Sequence, residues 1–429
     1  MKNVYGTHWD VVVVGGGAAG MMAAGRAAEL GARVIVIEKN ATLGKKLLIT
    51  GGGRCNVTNA EFNNRALSSH FQEDGKFLLS AFSKFAVKNT LEFFHTRHMP
   101  THVEDERRVF PTTNRAASVW KVLVDYLHAG KVTILSDAPV MALVHENSFI
   151  TGVRLANGKL IEGKEYIIAT GGNSRPETGS SGDGFVWMRD IGHTVFDTHP
   201  ALAPLMIKDM WPRSLHGLTL PHITLTSYLN GKKQKKKTGS LLFTHVGISG
   251  PTALNMSSDI AELLKYRIVT LTLDLLPDIT IEALSEQIEQ ILISQRSKKM
   301  KNCLSTILPS RLVSIVLELS GVDPELVAHH VTRARRITLI RTVKALPMRV
   351  KKLLGTDKAI STGGGVALTE VDFKTMRSRL FQNLYLVGDI LNMNRPSGGY
   401  SLQVCWTTGY IAGSECGKKP ASTIRSASE

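Results

Sequence analysis

The 429 residues carry 52 Lys and Arg against 36 Asp and Glu, a formal charge of +16, with 43% hydrophobic and 21% charged positions. That balance describes a globular chain of two or three domains with a large core, and it excludes a disordered or collagen-like polymer. No apolar stretch approaches the roughly 18 residues of a membrane span, and the four cysteines form no CxxC pair, so their spacing suggests neither a zinc site nor a disulfide framework.

The first element is the most informative. Val11 to Val14 is a β-branched run that enters Gly15-Gly16-Gly17 and Gly20, followed by a small-residue helix, a stop at Gly31, a second apolar strand Val34 to Ile37, and Glu38. The first glycine makes a tight turn, Gly17 lets backbone approach a pyrophosphate, and Gly20 lets helix pack on strand. The helix N-terminus, opening at Ala18 and Ala19, points free N–H groups and partial positive charge at that pyrophosphate. Glu38 is placed to accept from both ribose hydroxyls. Strand, GxGxxG, helix and acid together indicate a dinucleotide site.

Gly51-Gly52-Gly53-Arg54-Cys55-Asn56 follows. Glycines expose backbone N–H groups, and the polar residues after them can bond phosphate or ring oxygens, which suggests a second wall of the cofactor site. Arg54 is expected to bond phosphate or the 56–59 backbone. Apolar spacing predicts one helix over Gly75 to His98 and another over Arg115 to His128. Strands are expected at Val132 to Leu135 and Val140 to Val144, with a hairpin closed at Asn157-Gly158. Tyr166 to Gly172 reads as a buried strand ending in Ala-Thr-Gly-Gly, its Thr170 and Gly171 facing the cofactor. Gly179 to Gly184 opens a helix over 185–191.

Near Pro200 the character changes. Strands are expected at His222 to Leu229, Ser240 to Thr244 and Arg267 to Leu275, with FTHVGISGP (243–251) as a glycine-punctuated loop. From Thr280, a side-chain cap, to Leu346 the pattern is helical; Gly321 ends one helix, and Asp323-Pro324 reads as the start of another. This middle region is strongly basic. Pro200 to Asp357 holds 22 Lys/Arg against 12 Asp/Glu, so +10 of the +16 lies there, in GKKQKKK (231–237), RSKKMK (296–301), RARR (333–336) and RVKK (349–352). The surplus is either solvated surface or a contact face for a polyanion, most plausibly RNA.

The last seventy residues return to the earlier style. Leu384 to Asp389 is a strand ending in Gly-Asp, and NMNRPSGGYSLQ (392–403) precedes a helix over 404–412. Asp389 is placed to accept a ribitol hydroxyl. Gly398 and Gly399 start a helix whose positive end suits the negative charge that builds at N1–C2=O of a reduced flavin. The cofactor domain is therefore split around the middle region.

The set LLITGGGRCNVTN, RVFP, ATGG with TGSSGDG, LLFTHVGISGP, STGGGV, and LYLVGD with SGGYSLQ resembles the BaiN/YhiN-like NAD(P)/FAD-dependent oxidoreductases, also labelled aminoacetone-oxidase-type flavoproteins, over nearly the whole chain. The resemblance implies an α/β fold: a discontinuous Rossmann-type FAD-binding domain (1–199 and 358–429), a β-barrel-like domain (200–278, returning through 346–357) and a small helical domain (279–345). It implies FAD contacts at Gly15 to Gly20, Glu38, Lys39, Lys45, Lys46, Gly52 to Asn56, Asp389 and Gly398, Gly399, Tyr400, Ser401 and Leu402, with Val140 as a backbone contact to adenine. Two positions depart from the pattern: Asn392, where such proteins commonly carry an acid, and Ser401, where they carry Asn.

The flavin carries the hydride chemistry, so few residues are needed for catalysis. Cys55 is a candidate proton donor or redox thiol, against a plain buried loop residue. His245 is a candidate contact to substrate or the flavin edge, against a structural histidine. His95, His98 and His102 flank Pro100 and share no helical face, so no metal site is expected. The expected function is hydride transfer between NAD(P)H-reduced FAD and an activated C=C, C–N or C–O bond of a small molecule. One alternative is reduction of a base in structured RNA, such as uridine to dihydrouridine; another is a non-catalytic FAD-binding redox sensor. No apolar leader precedes the first strand, and a cytoplasmic setting without a membrane partner is expected.

Overall fold

A computed structural model describes residues 4–418 and divides into two compact units, one of residues up to Pro200 with those from Ala359 onward, the other of Ala201–Lys358. In the first unit, strand β1 (Trp9–Val14) is buried almost throughout, as its β-branched run requires in the middle of a parallel sheet. It pairs with β2 (Val34–Ile37) on one side and with the return strand Gly163–Ile168 on the other. Leu384–Leu386 lies beside the return strand in register Ile167↔Tyr385, and Thr133–Leu135 extends the opposite side. Segments some 370 positions apart thus share one sheet of seven strands, finished by a short antiparallel edge.

Helix α1 (Ala18–Glu29) crosses from β1 to β2, and the C-terminal helix Tyr400–Cys416 packs along it. Their approach is close because Gly409 and Gly413 sit over the carbonyls of Ala19 and Ala23, where any methyl group would collide. The expected single helix over 75–98 is two, Gly75–Lys84 and Val87–His95, interrupted where Phe85 and Ala86 adopt extended backbone. The helix over 404–412 begins earlier and ends later, at Tyr400 and Cys416.

The second unit is a closed six-stranded barrel, in the order Leu205–Ile207, Gly247–Ser249, Lys232–Thr244, Thr219–Leu229, Val269–Asp274 and Leu346–Leu353. Helix Pro251–Leu264 packs against all six strands, its Ala253, Met256 and Ile260 buried in the same core as Leu225, Phe243 and Leu271. The FTHVGISGP stretch is therefore more than a loop: it ends one strand, supplies a second and starts this helix. The strand expected only from Ser240 runs back through the lysine cluster to Lys232, because pairing with 219–229 sets its length rather than apolar content. Four helices between Ile281 and Lys344 join the core, the first capped by Thr280 accepting from Ala283 N. Asp323-Pro324 starts no helix. Asp323 instead caps a turn through Glu325 N, and Val327 bridges Lys299.

Candidate functional site

The first unit holds a cleft of ≈ 1200 Å³, counting the solvent it opens onto, at the C-terminal ends of the parallel strands. This is where ligands bind in open α/β sheets. Its walls bring together Gly15, Gly17, Ala18, Ala19, Glu38, Lys39, Lys45, Lys46, Val140, Thr170, Gly171, Asp389, Ser401 and Leu402. They also include residues that sequence reading did not single out: Asn40, Ala138, Trp187 and the loop 178–183. The GSSGDG punctuation before a helix was the available signal for that loop.

Glu38 is buried at the end of β2, where one carboxylate oxygen accepts Gly16 N at 2.9 Å and the other accepts Asn40 N at 2.9 Å. It locks the glycine turn against the strand end while keeping acceptor capacity toward the cleft. The glycines divide into two kinds. A methyl group at Gly20 would strike the Gly15 carbonyl, so Gly20 is required by packing alone; Gly17 has no atom beyond its own stretch of chain within 4 Å of where its Cβ would lie. Its smallness serves no internal contact. Around the cleft, Thr170 Oγ1, Asp389 Oδ1 and Ser401 Oγ are buried with no hydrogen-bond partner among the described residues. Such atoms are costly unless a ligand satisfies them.

Three lysines set the charge. Lys39 pairs with Asp183 at 2.7 Å and also reaches Ser181. Lys45 donates to Asn40 at 3.1 Å, and Lys46 donates to Ser174 at 2.6 Å while standing 3.6 Å from Asp389. Burial pushes the Asp389 carboxyl upward, but Arg395 and Lys46 outweigh it and hold the group below the ordinary carboxylate value.

The remaining expected contacts do not line the cleft. Gly52 and Gly53 lie exposed just past Thr50 on its rim, with φ of 68° and 86°. Arg54 is engaged by Glu104 and Asn114 and lies 4.1 Å over the Phe110 ring, so of its two expected partners, phosphate and the 56–59 backbone, the second is not met. Asn56 Oδ1 is buried with no hydrogen-bond partner among the described residues. Cys55 is fully buried, and burial pushes its thiol up to about 12, only partly offset by a hydrogen bond with Thr50. Asn59 Nδ2 ties this stretch to Gly398 O at 3.1 Å, next to Gly399. Tyr400 turns into the core, edge-on to Phe71 and 4.6 Å from the His70 ring, its phenol pushed up to about 12 by burial. His245 belongs to the other unit, exposed on a barrel turn with its ring 5.9 Å from that of His216.

A family model described as the HI0933-like protein Rossmann domain matches residues 9–415. The chain is 31% identical over 412 residues to 3-dehydro-bile acid delta(4,6)-reductase of Clostridium scindens, covering 95% of this chain and 99% of that protein. It is 28% identical over 407 residues to the ribosomal RNA dihydrouridine synthase of Escherichia coli, covering 94% and 96%. Among solved structures, 3-ketosteroid delta1-dehydrogenase of Sterolibacterium denitrificans superposes with a TM-score of 0.55 over 96% of this chain and 99% of that one. At 14% identity that likeness speaks for the fold alone.

Proposed function

The chain belongs to the HI0933-like family of FAD-binding Rossmann proteins, and from that premise we propose that it is an oxidoreductase that saturates a carbon–carbon double bond conjugated to a carbonyl, with NAD(P)H as electron donor. The observation that carries this reading is the cleft itself, whose open glycine, strand-end carboxylate and orphaned acceptors fit an FAD better than they fit one another. Gly17 and the N-terminus of α1 would hold the pyrophosphate, Glu38 the ribose, Val140 the adenine, and Thr170, Asp389 and Ser401 the hydroxyls and ring edge. When bound, the flavin supplies hydride acceptance from NAD(P)H and hydride donation to carbon. The choice of C=C rests on the two relatives, whose names both describe saturation of such a bond.

The protein's own contribution is to hold, orient and desolvate. Cys55 is sealed in the core, which argues against it as donor of the proton that completes the reduction and favours water or another side chain; His245 stays open to test by substitution. No described helix is long and apolar enough to cross a membrane, and the setting we infer is the cytoplasm. Anaerobic stopped-flow tests the reading: NADH or NADPH should bleach the bound flavin, and an enone or an RNA should restore its colour. Recovery with oxygen alone would make it an oxidase. No reduction by NADH, NADPH or dithionite would leave a redox-silent FAD protein.

A specific feature favours structured RNA as the electron acceptor. In the barrel hairpin, Lys232, Lys233 and Lys236 are exposed and form no ion pair among the described residues, whereas Lys235 is neutralised by Asp259 at 2.6 Å. Burial, and then the neighbouring Lys235, lower the Lys237 ammonium below its ordinary value. A like-charge cluster kept on a hairpin gains from phosphates what it lacks in carboxylates. Loss of one dihydrouridine from cellular RNA on gene deletion would support this acceptor; an unchanged nucleoside profile would return the choice to a small enone.

A further inference from the structure

Between the Gly388-Asp389 strand end and the Gly398-Gly399 turn lies a charge that sequence reading passed over. Arg395 is 2% exposed, and a guanidinium cannot discard its charge on burial. Its Nη2 donates to the carbonyls of Gly388 at 2.9 Å and Leu391 at 3.1 Å, and Nη1 donates to that of Met393 at 3.1 Å. The segment is wound around its own cation. The third nitrogen, Nε, faces Asp389 Oδ1 at 3.4 Å without forming a hydrogen bond. Lys46 Nζ stands 3.6 Å from the other carboxylate oxygen. Asp389 is therefore flanked by two cations, and its Oδ1, buried and unbonded, belongs to a residue of the cleft wall. A second tie steadies the same loop, as Asn394 N donates to Asp74 Oδ2 at 2.8 Å.

We propose that Arg395 is a positioning residue that acts through Asp389, fixing the buried carboxylate in one rotamer with Oδ1 presented to a cofactor hydroxyl. The proposal rests on the FAD reading of the cleft. Two properties make arginine necessary. A buried carboxylate needs a fixed counter-charge, and three carbonyls in different directions need a planar fork that a lysine ammonium does not supply. The same cation adds positive charge behind the wall of a redox cofactor's site, so its removal should make the bound flavin harder to reduce.

The test is a double-mutant cycle in the full chain with Arg395→Met, Asp389→Asn and the pair. FAD is titrated into apoprotein, the midpoint potential of the bound flavin is measured, and apoprotein melting is followed as a check on folding. Each single variant should weaken FAD binding by about tenfold or more. The double variant should be little worse than the weaker single, because both remove one coupled unit. Arg395→Met should shift the flavin potential to more negative values, and Arg395→Lys should restore the potential while leaving affinity reduced. Wild-type affinity in Arg395→Met, or losses that multiply in the double variant, would overturn the proposal while leaving the cofactor reading intact. Absence of FAD binding by the wild-type chain would sink that reading and this one with it. If Arg395→Met does not fold, Arg395→Lys takes its place in the cycle, and multiplying losses there would be equally fatal.

Discussion

The charged groups of the cleft and those of the lysine hairpin are organised in opposite ways. In the cleft wall and just behind it, Glu38, Lys39, Lys46, Asp389 and Arg395 each have named partners at fixed distances, and most are buried or half-buried. In the hairpin, Lys232, Lys233 and Lys236 are exposed and form no ion pair among the described residues. A buried, paired charge is expensive to move and so specifies one ligand in one pose. A solvated one is cheap to move, keeps its counterions, and favours any polyanion without choosing among them. The first kind of chemistry selects a cofactor by shape; the second gathers substrate by field.

The largest effect that would sharpen this contrast comes from Gly17. Because nothing in the protein fills the space its Cβ would take, Gly17→Val should leave the melting temperature of apoprotein within about 2 °C of wild type. If a pyrophosphate occupies that space, FAD affinity should fall by at least about 100-fold, near 2.7 kcal/mol. Gly20→Val is the control, since its methyl groups would collide with the Gly15 carbonyl and cost stability before any ligand is added. Equal FAD affinity in Gly17→Val and wild type would break the cofactor side of the comparison.

This distinction between glycines marks what the sequence could and could not convey. The Gly15 to Glu38 unit was readable because each part is local: strand, turn, helix and acid lie within thirty residues. The return strand and the Gly-Asp strand were readable by form, and the structure sets the first beside β1 and the second beside the first in one sheet. The barrel-filling helix was missed because Gly250-Pro251 looks like loop punctuation, although Pro at the first helical position is a start signal too. Arg395 was missed for a different reason. Its carbonyl acceptors and Asp389 are sequence neighbours, but only the folded turn makes them converge, and no periodicity announces a guanidinium folded back on its own segment. The Glu104 contact of Arg54 could not be read from the sequence because that partner arrives from fifty positions away.

A smaller effect tests the other side of the comparison. Replacing Lys232, Lys233 and Lys236 together by Gln should leave FAD affinity and flavin reduction by NAD(P)H unchanged, because none of the three belongs to the cleft wall. Affinity for structured RNA should fall, and the slope of log affinity against log salt should flatten by about 0.7 to 0.9 per lysine that truly meets a phosphate. An unchanged slope with unchanged affinity would show the hairpin to be ordinary solvated surface, and the field half of the contrast would go.

The smallest expected effect concerns Cys55, which sits beside the exposed Gly51 to Gly53 loop yet belongs to the core. Its φ of 61° is as awkward for alanine as for cysteine, so Cys55→Ala trades only a buried sulfur for a small void, costing about 1 kcal/mol. Both flavin half-reactions should stay within about twofold of wild type; a drop of about 100-fold in reoxidation would reinstate it as the proton donor. The pH dependence gives an independent check. The folded thiol titrates at about 12 against an ordinary value near 9, so the folded state binds the proton more tightly than the unfolded chain does. Its stabilising contribution is complete below about pH 9 and is lost as pH rises toward 12, because the unfolded thiol ionises first. Cys55→Ala should therefore lose stability less steeply than wild type across that interval, and iodoacetamide at pH 8 should leave native Cys55 unmodified, since neither the thiolate nor a path to it is available. Rapid alkylation of the native protein at that position would mean that the loop opens, and the thiol would then have to be counted with the solvated groups rather than with the buried ones.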